Sequence, residues 1–316
     1  MGQQLQLGDP RRESPGKLTP RLYFIVAREA PMAVVFRRGP TKQVELLTWD
    51  LQSDELTQGQ WLKGRIYERK CDLSPKGDLL VYFAAKWEAR RIEEGSWTAI
   101  SRPPYLTALA LWSNGNITGG GGLFESDRQL RLDAGRTSPS GDFKLPRWMR
   151  VDLLDVQFPS CSHEPLEYMR LERDGWQRIG DWAPRRVNSL GRPFGSKFNL
   201  PVTYRRPLGP GGAVTLEMAV ERAGHWGTQT QARYRLLDGD QELRLLGPAD
   251  WADAAPNGDL LLARDGRLIR LSGGDPPSFR DGEFHEVADL RGHRFEERTA
   301  PPEADGRGVR PLVPTR

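Results

Sequence analysis

The chain has 316 residues, of which 37% are hydrophobic and 28% charged, with ten Trp; this excludes a disordered chain and suffices for one large all-β domain or two smaller domains. The 46 basic residues against 42 acidic ones leave a net charge of +4, too small an excess to argue alone for a nucleic-acid or membrane partner. Arg outnumbers Lys by 38 to 8, and the two Cys, Cys71 and Cys161, are too few for a disulfide framework.

Residues 1–19 are polar and aperiodic, and are expected to form a disordered N-terminal tail. They lack the apolar stretch of a signal peptide, and no later run approaches the ~18 apolar residues of a membrane span, so a cytoplasmic protein with free thiols is expected. "RLYFIVAR" (21–28), "MAVVFRR" (32–38), "QVELLTWD" (43–50), "LLVYFAA" (79–85) and "YLTALALW" (105–112) are short and rich in β-branched and aromatic residues, and each reads as a strand. "FAAKWEARRIEEG" (83–95) comes nearest to a helix, but Trp87 and Ile92 sustain no apolar face.

The second half continues with "LEYMRLERDGWQRIGDW", "AVTLEMAVER", "ARYRLLDGDQELRLL" and "LLLARDGRLIRL", apolar runs joined by Asp-Gly that read as hairpins. Asn114-Gly115, Asp174-Gly175, Asp238-Gly239, Asn257-Gly258, Asp265-Gly266 and Asp281-Gly282 all fit type I′ turns, in which both central residues take positive φ. "ERTAPPEADGRGVRPLVPTR" (297–316) is rich in Pro, Gly and charge and is expected to be a disordered C-terminal tail, leaving 20–296 as a single all-β domain.

Many short strands with regular turns leave a sandwich, a barrel or a propeller. "SPKGDLLVY" (74–82) resembles the strand start of WD40-like and TolB-like blades, with Lys76 where that pattern prefers Asp. Ser138-Pro139-Ser140-Gly141 and Ala255-Pro256-Asn257-Gly258 echo it, and Trp49-Asp50 resembles the Trp-Asp pair of such blades. The intervals are unequal and no Gly-His precedes Trp49, so the resemblance is to the architecture and to no particular family. It implies a β-propeller of about five or six irregular blades, with a β-sandwich or another large antiparallel arrangement as the alternative.

Motifs for chemistry are sparse. Cys161 and His163 would need two further zinc ligands at usable spacing, so no metal and no cofactor are expected. "TGGGGLFES" (118–126) and "GRPFGSKF" (191–198) lack the Lys-Ser/Thr and the following helix of a phosphate loop, and no Gly-x-Ser-x-Gly elbow occurs. Asp152 with Asp155, and Asp238 with Asp240, fall where turns and strand edges call for Asp in any case.

One stretch departs from the background. Trp182 to Leu216 carries Arg185, Arg186, Arg192, Lys197, Arg205 and Arg206 with no acid, interleaved with Phe194, Phe198 and Tyr204. Guanidinium forks beside ring faces suit phosphate or single-stranded nucleic acid; the competing reading is a solvated loop whose cations pair with distant acids. The sequence therefore points to a monomeric, non-catalytic protein-interaction scaffold, with an anion or nucleic-acid binding module at 185–206 and an enzyme with a channel site as the alternatives.

Overall fold

The computed structural model describes residues 19–39, 42–86, 95–115, 119–154, 164–179, 202–222 and 231–304. Five sheets follow one another along the chain. The first is an antiparallel meander of β1 (Arg21–Val26), β2 (Met32–Arg38), β3 (Gln43–Asp50) and β4 (Leu56–Lys63). In the second, the order is β5 (Arg65–Ile66), β7 (Leu80–Ala85), β8 (Ser96–Ser101), β9 (Ala110–Ser113), and β6 (Asp72–Leu73) also pairs with β7.

The third sheet has only β10 (Gly122–Ser126), β11 (Gln129–Leu132) and β12 (Arg150–Leu153), with β12 parallel to β11. A helix, α1 (Glu164–Arg173), then leads into the fourth sheet: β13 (Gln177–Ile179), β14 (Val202–Leu208), β15 (Val214–Arg222), β16 (Gln231–Asp238) and β17 (Gln241–Ala249). The fifth contains β18 (Trp251–Ala254), β19 (Leu260–Arg264), β20 (Arg267–Leu271) and, after the short α2 (Pro276–Asp281), β21 (His285–Asp289). The all-β class read from the sequence is the class found.

The unbroken apolar runs have a physical cause. Every residue of β7 is buried, but Leu80, Tyr82 and Ala84 pack into one core cluster while Val81 packs into another with Ile100, Trp112 and Phe124. A strand covered on both faces cannot alternate apolar with polar, so it reads as a continuous hydrophobic stretch. β1 touches β6, β18 and β19; β10 touches β6 and β7; and β14 and β17 touch β18 and β19 respectively, so neighbouring sheets share their faces and the first lies beside the last.

Several turns differ from expectation. Only Asp265-Gly266 places both residues at positive φ, +51° and +72°, closing the Arg264↔Arg267 hairpin. Asp238-Gly239 does join two strands, but through Gly239 and Asp240, with Gly239 at +59°. Asp174-Gly175 is no hairpin: the Asp174 and Trp176 amides donate back to Arg170 and Leu171 carbonyls and Gly175, at +94°, ends α1. Likewise Asp281-Gly282 ends α2, the Gly282 amide donating to the Ser278 carbonyl. A hairpin uses Gly for positive φ, as the end of α1 does at Gly175. The end of α2 uses Gly282, at an ordinary φ of −63°, because a Cβ there would stand 2.2 Å from the Ser278 carbonyl oxygen, so Asx-Gly alone does not tell them apart.

Two of the three blade-like starts are true hairpin loops. Gly77 donates to the Ser74 carbonyl at 2.9 Å between β6 and β7, and Gly258 donates to the Ala255 carbonyl at 2.9 Å between β18 and β19. The third, at Ser138–Gly141, precedes no strand; the Ser140 amide instead donates to the Leu111 carbonyl on β9. Of "FAAKWEARRIEEG", residues 83–85 belong to β7 and 87–94 lie outside the described residues.

Residues 290–304, partly assigned to a tail by composition, lie along the first sheet. Arg37 Nε donates to the Leu290 carbonyl at 3.0 Å, His293 Nδ1 lies 2.8 Å from Glu45 Oε2, and the Phe295 ring meets Trp61 edge-on at 6.0 Å.

Candidate functional site

The densest buried chemistry lies where α1 meets Tyr23 of the first sheet and Asp72 of the second, beside Trp251 of the fifth. Glu167, Arg170 and Arg173 recur every three residues, so they form one stripe along the helix. Arg173 grips Asp72 with both ends of its fork, at 2.7 and 2.9 Å, and also bonds Asp174. Asp72 is fully buried and additionally accepts from the Phe124 amide at 2.7 Å. Burial alone would lower the Arg173 pKa, but the two carboxylates outweigh it and raise the value.

Arg170 donates to the Cys71 carbonyl and the Tyr23 hydroxyl, and Arg69 pairs with Glu167. Both cations sit 5.4 Å from the Tyr23 ring, which packs 4.7 Å from the Trp251 ring; Trp176 lies 6.1 Å beyond. Burial pushes the Tyr23 pKa up against the pull of Arg170 and Arg69. Burial likewise pushes the Cys71 thiol far up, and the thiol donates to the Tyr67 carbonyl at 3.3 Å, so it is no nucleophile. Glu167, Arg170 and Arg173 each have a partner in the protein, and the junction is built as a tie between sheets.

The sequence-selected basic residues separate into two groups. Tyr204, Arg205 and Arg206 lie on β14, whereas Arg185, Arg186, Arg192, Phe194, Lys197 and Phe198 lie outside the described residues. Tyr204 is buried and its ring stacks 6.0 Å from Tyr168. Arg205 pairs with Glu217 and Asp240, both at 2.9 Å, and Arg206, on the opposite face of the strand, pairs with Asp253. Cys161 and His163 also lie outside the described residues; among those described, no three His, Cys, Asp or Glu side chains are grouped to hold a metal. Nor is any described helix long and apolar enough to cross a membrane.

A second place was not singled out by sequence reasoning. In the third sheet β12 is the outermost strand, and Phe143, Trp148 and Leu153, on or just before it, are among the few large apolar side chains left exposed. The Arg150 and Leu154 amides donate to Arg128 and Leu132 carbonyls, so alternation turns the N–H and C=O of Val151 and Leu153 away from β11, toward the open side. Lys144 and Arg147 are exposed and have no carboxylate partner among the described residues. The available signal was "KLPRWMRVDL" (144–153), a Trp set among cations before a short alternating strand, which drew no notice beside the longer basic stretch.

No protein-family model matches the chain, and no curated protein matches it in sequence. Among solved structures it is similar to a prolyl endopeptidase, at 12% identity over 85% of this chain and 42% of that one, with a TM-score of 0.31. It is also similar to the β-propeller domain of the Trilobed protease from Pyrococcus furiosus, at 11% identity over 86% of this chain and 97% of that one, TM-score 0.28. A third is an uncharacterized protein from Listeria monocytogenes, at 12% identity over 86% and 84% of the two chains, TM-score 0.26. The chain spans less than half the length of the endopeptidase, and at these scores the likeness adds nothing to what the order of the sheets already conveys.

Proposed function

We propose that the five sheets are the blades of a β-propeller and that the protein acts as a non-catalytic protein-interaction scaffold. The propeller reading is supported by the sequential sheets, by strands buried on both faces, and by the packing of β1, in the first sheet, beside β18 and β19 of the last. The observation that carries the binding reading is the contrast between inside and outside. At the α1 junction Glu167, Arg170 and Arg173 are engaged within the protein, while Phe143, Trp148 and Leu153 are left at the surface beside Lys144 and Arg147, unpaired among the described residues. An anion site at Arg205 and Arg206 is the weaker reading, because a phosphate there would have to displace Glu217, Asp240 and Asp253.

The test is affinity capture from lysate with the wild type and Trp148→Ser in parallel. Trp148 is half-exposed, so the variant should keep its thermal midpoint and lose a protein that the wild type enriches. Identical capture profiles, or none in either, would contradict the scaffold reading at this surface.

A further inference from the structure

Sheet edges are dangerous unless shielded, because their free amides and carbonyls recruit other strands. Among the described residues, one end strand in each of the four sheets other than the third is shielded. On β4, the Gln60 amide donates to the Pro104 carbonyl at 3.0 Å and its side chain holds Leu106 and Arg298. β9 is covered by residues 137–140, and α2 lies against β17, where Arg244 donates to the Phe279 and Gly282 carbonyls. β21 is guarded by charge, "HEVAD" with Glu286 and Asp289 beside Arg267. Nothing among the described residues covers β12, and its sheet is a strand or more shorter than the other four.

From this we infer that β12 is a docking edge for an extended acidic peptide segment of a partner protein, which adds as a fourth strand to the third sheet. The inference rests on the scaffold reading and specifies its partner. The outward N–H and C=O of Val151 and Leu153 supply the main-chain bonds, and Leu153 and Trp148 supply apolar anchors at the surface. Lys144, Arg147 and Arg150 set the charge preference: the first two are unpaired among the described residues, and the Arg150 side chain is 75% exposed and, among those residues, pairs with Asp152 at 3.2 Å. The same charges disfavour the chain's own acid-free segment, Trp182 to Leu216, as the occupant, since like would meet like.

The probe is a fluorescent, N-acetylated nonapeptide alternating Glu with Val, titrated into the full chain by anisotropy at low salt, against a counterpart with Lys for Glu. The acidic peptide should bind saturably and the basic one should not. Leu153→Pro deletes an outward amide but no bond to β11, and should abolish binding with far-UV circular dichroism unchanged. Should that variant misfold, K144E/R147E, both at exposed positions, must weaken binding by about tenfold or more. In the wild type, hydrogen exchange at the Val151 and Leu153 amides should be fast in the free protein and slow with peptide bound.

No saturable binding of the acidic peptide, equal binding of both peptides, or binding untouched by these variants would overturn the inference. So would amides already protected in the free monomer, meaning that the chain covers its own edge, or a dimer that Leu153→Pro dissolves, meaning that a second copy does. If Leu153→Pro still captures the protein that Trp148→Ser loses, the scaffold reading stands and the strand-addition inference falls.

Discussion

Asp72 is fully buried, and the Arg173 fork and the Phe124 amide hold its two oxygens. A buried carboxylate tolerates this position only while the partner remains, so Arg173→Met should cost about 3–5 kcal/mol in urea unfolding, and Arg173→Lys, which keeps the charge but not the fork, should cost less. If Arg173→Met leaves the unfolding midpoint unchanged, the tie between α1 and the second sheet carries no energy. Asp250 offers a pH test. Burial raises its pKa from 3.8 to about 6, against the bond it accepts from the Leu22 amide at 3.2 Å. A raised folded-state value means that the folded protein holds the proton more tightly, so this stabilisation is full below about pH 4 and is lost as the pH rises to about 6. Asp250→Asn keeps the acceptor and removes the charge; it should flatten the stability profile between about pH 4 and 6 and gain about 1 kcal/mol at pH 7, partial exposure screening the rest.

At the scale of elements, legibility followed what each strand or helix buries. Strands such as β1, β2 and β7 were evident because both their faces meet apolar neighbours, and the runs of Leu, Val and Phe record it. α1 was misread as a strand because half of its inward face is charged: Leu166 and Leu171 are buried, but so are Glu167 and Arg170, and ion pairs leave no hydrophobic period to find. The buried junction was thus hidden by the very residues that make it, since pairing across 98 to 101 residues of sequence has no local signature. The β12 edge was hidden for the opposite reason: an open side is an absence of partners, which only the sheet order reveals. The Ala255–Gly258 turn yields a prediction. Gly258, at φ +90°, abuts the Gly209 backbone, 2.8 Å from where a Cβ would stand, so Gly258→Ala meets strain and a clash that no side chain can relieve. It should cost about 2 kcal/mol or more, whereas Gly239→Ala, at φ +59° with open space around it, should cost about 1 kcal/mol.

For the whole molecule, what matters is how five short sheets, none able to bury its faces alone, become one body. Residues 290–304 contribute by supplying the Leu290 and His293 carbonyls that satisfy Arg37, which is 2% exposed. A chain ending at residue 289 should therefore lose about 2–5 kcal/mol relative to one ending at 304, measured by urea unfolding, because Arg37 keeps its burial and loses those acceptors. The proposed ring requires that the first sheet meet the last, as Tyr23, on the first strand, meets Trp251, which opens the last sheet, at 4.7 Å between ring centres. Selectively labelled protein should give nuclear Overhauser cross-peaks between the Tyr23 and Trp251 ring protons, and between Trp251 and Trp176. A Tyr23 ring with cross-peaks only to its own sheet would mean that the first and last sheets do not meet, and the closed ring of blades would be contradicted.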